Sequence, residues 1–167
     1  TDHADNFANV WHPELAERSL HGRVVTLPCG TRVAGLGGVF RGAVWYPKDA
    51  QAPKFHNRQA HARITPHQDR WQNGVQLKHW SSIYPDEVEQ LASQQADILI
   101  THEAPGYHEH GFKELDTLAR RMGVRMTVHG HQQDCIDSSA HWAAQGFQSY
   151  GVGLRGIMAV GGELTVN

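Results

Sequence analysis

Two short apolar runs, Asp97-Ile98-Leu99-Ile100-Thr101 and Val124-Arg125-Met126-Thr127-Val128, bracket a stretch in which Leu115, Leu118, Ala119 and Met122 recur at intervals of three and four. That spacing predicts an amphipathic helix, and Gly123 stands where a left-handed helix terminator belongs. A strand–helix–strand unit of roughly 30 residues has one common solution, with parallel strands that the chain leaves at the same edge of the sheet. The fold class that follows is α/β. Ile98 to Ile100 reads as a strand buried on both faces, and Val124 to Val128 as the next buried strand. His102 and His131 follow these strands, 29 positions apart. They are therefore expected to meet at the rim where open α/β sheets bind their ligands.

The rest of the chain is arranged around this unit. Arg23 to Leu27 and Thr31 to Leu36, separated by Pro28-Cys29-Gly30, predict a hairpin. Asp5 to Leu20 spaces Phe7, Val10, Trp11, Leu15 and Leu20 as one helix, or as a helical turn interrupted by His12-Pro13. From Pro47 to Ser82 the sequence is polar and His-rich, shows neither strand nor helix periodicity, and reads as an irregular cover over the site. Tyr84-Pro85-Asp86-Glu87 opens a helix that carries Val88, Leu91 and Ala92 on one face up to about Gln95. Near the end, Gly161-Gly162 separates the β-prone runs Leu154 to Val160 and Glu163 to Val166, as in a hairpin. With 167 residues and no internal repeat, one domain spanning 1–167 is expected.

Charge and composition remove several function classes. The formal net charge is −2, and no Lys/Arg run is long enough for a nucleic-acid stripe or a membrane-surface patch. No apolar stretch approaches the roughly 20 residues that span a bilayer, and the stretch from Thr1 lacks a signal peptide's basic and apolar regions, so a cytoplasmic location is expected. Cys29 and Cys135 lack C-x-x-C spacing and read as ordinary thiols. The 13 histidines nearly match the 15 lysines and arginines. Imidazole both ligates metals and transfers protons near neutral pH, so position must choose among them.

A single histidine at a strand end is more often structural than functional. Two at adjoining strand ends are placed to hold one borderline cation through bonds of about 2.0–2.2 Å. The apolar strand leading into Thr101-His102-Glu103-Ala104-Pro105, followed by Val128-His129-Gly130-His131, resembles the last two metal-binding blocks of calcineurin-like metallophosphoesterases. The resemblance implies that His102 and His131 ligate the same metal of a two-metal centre, with Mn, Fe or Zn as the divalent ions. It implies a partial metallophosphoesterase-type β-sandwich flanked by helices, and hydrolysis of a phosphate ester carried by a phosphoprotein or a nucleotide. The family's final histidine falls on Gln133 here, and His129, two residues from His131, is an alternative ligand.

The family's earlier blocks, Asp-x-His, Gly-Asp and Gly-Asn-His-Asp/Glu, do not occur in these 167 residues. Thr1 resembles the residue just after the last of them, which implies the C-terminal half of such a domain with a His-rich insert at about 47–82. A half-domain is expected to bind Mn, Zn or Ni weakly and to hydrolyse esters slowly or not at all. It is also expected to be marginal or self-associating, because a truncated sheet exposes an edge and apolar surface.

Other motifs carry less. In Gly35-Leu36-Gly37-Gly38-Val39-Phe40-Arg41-Gly42, the glycines and Arg41 either grip a substrate phosphate or make a tight turn with an exposed arginine. Gly151-Val152-Gly153-Leu154-Arg155-Gly156 matches G-x-G-x-x-G but leads into β-prone residues instead of the helix a dinucleotide fingerprint requires. His108 and His110 flank Glu109 and either contact substrate or face water. His56, His61, His67 and His79 reach over the metals or tolerate solvent. Ser138-Ser139 with His141 lacks the G-x-S-x-G turn of a serine hydrolase. The second function class is a non-catalytic His-rich metal-binding or interaction module.

Overall fold

The computed structural model describes residues 14, 17–49, 51–132, 136–153, 156–159 and 164–165. Strands β1 (Arg23–Thr26) and β2 (Arg32–Leu36) form the expected antiparallel hairpin. Strands β3 (Ile98–Thr101), β4 (Met126–His129) and β5 (Gln148–Gly151) then add in chain order, each parallel to the one before. The helices lie in the connections: α1 (Arg58–Ile64) and α2 (Pro85–Ala92) before β3, α3 (Lys113–Met122) before β4 and α4 (Ser139–Gln145) before β5. The fold is thus α/β, a mixed five-stranded sheet flanked by helices. Among the described residues, no helix is long and apolar enough to cross a membrane.

Local chemistry sets the helix ends. In α2, Pro85 occupies the first turn, where no N–H partner is needed, and the Glu87 carboxylate accepts the N–H of Tyr84 at 3.0 Å. Helix α3 stops at Gly123, whose φ of 69° lets its N–H reach the carbonyls of Ala119 and Arg120. The buried Val124 belongs to this closing turn, its N–H bonded to Ala119, so β4 starts at Met126 and runs on through His129.

Register explains which face is the core. Ala34, Leu99, Thr127 and Ser149 are paired across β2 to β5 and are all buried. They share the core layer with Leu91 from α2, with Leu115, Leu118 and Met122 from α3, and with Phe147. Burying each such large aliphatic side chain contributes about 1.5–3 kcal/mol. The opposite face corrects the expectation of a doubly buried β3. Ile100 alternates away from Leu99 and is 41% exposed, as is Val25 on that same face of the sheet.

The stretch 47–82 is more ordered than its sequence suggests. It contains α1 and three short 3-10 turns, Pro47–Asp49, His67–Asp69 and Leu77–His79. A seven-residue helix is marginal alone and too short to display a period, so tertiary bonds must hold it. The Asn57 side chain caps it by accepting the Ala60 N–H at 2.7 Å. His61 stacks on Phe55 with ring centroids 4.1 Å apart and meets the Tyr84 hydroxyl at 2.8 Å. Arg58 donates to the Trp80 carbonyl and the Glu87 carboxylate, which ties the segment to α2. Burial lowers the pKa of His61, brings that of His79 down to about 4, and pushes the Tyr84 phenol up to about 12.

At the C-terminal end, β6 (Ile157–Met158) pairs antiparallel with β7 (Leu164–Thr165), in keeping with the expected hairpin. Its Gly161-Gly162 turn, Leu154-Arg155, Gln133, Cys135 and most of the Asp5 to Leu20 helix lie outside the described residues.

Candidate metal centre

The parallel pairing of β3 with β4 sets Thr101 opposite His129, so the loops carrying His102 and His131 leave the sheet side by side. The His102 N–H continues the ladder by donating to the Leu36 carbonyl at 3.3 Å. His131 has φ of 64°, in the left-handed region that a non-glycine residue seldom enters. Its Nδ1 lies 2.6 Å from Nε2 of His102, with the rings inclined at 72°. The two histidines expected to meet at one rim do so.

The donor geometry admits one cation. Two nitrogens that share a cation at about 2.0–2.1 Å stand roughly 2.8–3.0 Å apart at octahedral angles and roughly 3.3–3.4 Å apart at tetrahedral ones, so the pair needs to open by about 0.2–0.8 Å. As a bare contact, one nitrogen must donate a proton and the other accept it. Among the described residues, no group of three or more His, Cys, Asp or Glu side chains forms a metal cage.

Two residues whose part is not evident from local sequence stand here, Glu103 beside His131 and Tyr107 beside His129. Glu103, only 6% exposed, directs one carboxylate oxygen to the Phe40 N–H at 3.3 Å and the other to within 4.0 Å of His131 Nδ1. The signal in the sequence is an acid directly after His102, two residues past an apolar strand. Tyr107 sets its hydroxyl 2.7 Å from Nε2 of His129, which is 2% exposed. Nδ1 of His129 lies 3.1 Å from the Gly130 carbonyl. Both nitrogens of His129 are thus engaged, and the metal-ligand reading rests on His102 and His131.

The remaining candidates have contacts of their own. Arg41 is half-buried and donates from Nη2 to the Ser81 hydroxyl at 3.3 Å. Its loop approaches Ser81 so closely that a Cβ on Gly38, whose φ is 94°, would stand 2.6 Å from the Ser81 carbonyl oxygen. His108 is buried, and its Nδ1 accepts the His110 N–H at 3.1 Å. His61 and His79 lie in the cluster with Tyr84, while His56 pairs with Glu89 at 3.4 Å and His67 lies in a 3-10 turn. A cavity of about 400 Å³ opens between Tyr107, His108, His110, Gln132, Ile136 and His141, on the loops after β3 and β4 and the first turn of α4. A larger one, about 790 Å³ between Thr31, Asp97, Met126 and Gln148, lies at the amino ends of the strands. Size does not favour it, because the chemistry of open α/β sheets sits at the carboxyl ends.

Over 128 residues the chain is 44% identical to an uncharacterized protein of Haemophilus influenzae. The aligned stretch is 77% of this chain and 55% of that protein, so the chain spans about half the length of the curated relative it matches. No family model matches the chain, and no solved structure does.

Proposed function

We propose that the chain is part of a calcineurin-like metallophosphoesterase, in which His102 and His131 hold one divalent cation, Mn, Fe or Zn, of a two-metal centre. The observation that carries this reading is the 2.6 Å approach of His102 Nε2 to His131 Nδ1 at the carboxyl ends of two parallel strands. A divalent cation there supplies a Lewis acid for a phosphoryl oxygen and lowers the pKa of a bound water. The chain's own part is to hold the cation with neutral imidazoles and to present Arg41 as a forked donor to the substrate phosphate. The cavity beside Tyr107 and His141 receives the organic portion of the ester, from a phosphoprotein or a nucleotide. In this reading the protein is cytoplasmic, and the five-stranded sheet is one layer of a partial metallophosphoesterase-type β-sandwich, with Val25 and Ile100 on the side a second layer covers.

Two imidazoles are an incomplete holder, so the 167-residue chain should bind metal weakly and turn over p-nitrophenyl phosphate slowly or not at all. The test is thermal stabilisation by Mn or Zn, measured for this chain and for His102→Ala and His131→Ala. The stabilisation should vanish in each variant. A wild-type chain indifferent to both metals, or variants that respond as it does, would overturn the proposal. The lack of a three-donor cage among the described residues favours a second reading, a non-catalytic His-rich metal-binding module. Metal binding by the full-length protein with no turnover of any phosphate ester would assign that one.

A further inference from the structure

We infer that Glu103 belongs to this metal centre, as the carboxylate that balances the cation's charge. The inference rests on the His102–His131 reading. Glu103 follows His102 directly, and Thr101 Oγ1 donates to its carbonyl oxygen at 2.7 Å, which pins the backbone where β3 ends. From there the side chain turns inward instead of out to water. Its Oε1 is anchored by the Phe40 N–H from the loop after β2, and its Oε2 faces His131 Nδ1 from the loop after β4. One carboxylate therefore joins the ends of three adjacent parallel strands at the point where the two imidazoles meet.

Burying a carboxylate is costly, and the cost is offset where its charge is used. A divalent cation held by two neutral imidazoles keeps its full charge, and a buried carboxylate one residue from a ligand lowers the free energy of that charge. Carboxylates next to metal ligands matter to affinity, and removing one typically weakens metal binding about 10–100-fold.

Titration of the 167-residue chain with Co2+, followed by the visible absorption of the bound ion, tests this. Glu103→Gln keeps the shape, and its side-chain oxygen still accepts the Phe40 N–H. The expected result is about 10–100-fold weaker Co2+ binding, an unchanged metal-free melting temperature, and partial recovery of affinity in Glu103→Asp. Equal affinity in Glu103→Gln would overturn the inference and leave the histidine pair intact, with Glu103 serving the fold and not the metal. A metal-free melting temperature that falls in Glu103→Gln, with no recovery in Glu103→Asp, would also overturn it, in favour of a structural role. A wild-type chain that binds no Co2+ would remove the histidine pair as a metal site and this inference with it.

Discussion

The hydroxyl of Tyr107 lies 2.7 Å from Nε2 of His129, while Nδ1 of the same ring lies 3.1 Å from the carbonyl oxygen of Gly130. A carbonyl only accepts, so Nδ1 carries a hydrogen, and in a neutral ring the phenol then donates to Nε2. The buried ring thereby ties the loop after β3, which carries Tyr107, to the turn that delivers His131.

Tyr107→Phe removes the donor to a buried nitrogen and leaves the ring's packing in place. A loss of about 1–3 kcal/mol is expected, because an acceptor stripped of its partner keeps its desolvation cost. Urea denaturation of wild type and variant measures it. A change within about 0.5 kcal/mol would mean that the tie contributes no stability.

Leu99 and Ile100 are adjacent in β3 but face opposite ways. Leu99→Ala should cost about 2–5 kcal/mol by opening a cavity in the core, whereas Ile100→Ala should cost under about 1 kcal/mol. Comparable losses in the two would show that the second face is also covered.

His131 adopts a positive φ that glycine tolerates and alanine does not. With the imidazole lost from both, His131→Gly should be more stable than His131→Ala by about 1 kcal/mol in metal-free buffer. An alanine variant as stable as the glycine one would show that the strained turn relaxes in solution.

Acid should loosen the segment between α1 and α2. His79 is held at about 4 in the fold by burial, then by the positive neighbours His61, Lys78 and Arg41, against 6.5 for an ordinary histidine. Between these values the unfolded chain binds a proton that the folded chain refuses, so stability rises with pH. The contribution is complete above about pH 6.5 and is lost as pH falls towards 4. His61, also lowered by burial, acts in the same direction. Melting temperatures across this range should decline towards acid more steeply for wild type than for His79→Gln, and equal slopes would refute the assignment to His79.

Much of the fold could be read in order along the chain. The hairpin ending in β2, the Gly123 terminator of α3 and the parallel pairing of β3 with β4 all followed from local periodicity and turn chemistry, and these are properties of neighbours in sequence. The convergence of His102 and His131 was legible too, because a strand–helix–strand unit returns the chain to the same edge. Helix α1 was not legible, since seven residues cannot display a period and Asn57, Phe55 and Tyr84 hold it from outside its own run.

What the sequence determined by itself was therefore the α/β framework and the rim at which His102 and His131 meet, because backbone hydrogen bonding and amphipathic spacing act over a few residues. Only the tertiary structure decided that Ile100 faces outward, that Tyr107 and Gly130 occupy His129, and that Glu103 turns in towards His131. Each of those depends on distances between residues brought together by separate strands, and no local pattern encodes such distances.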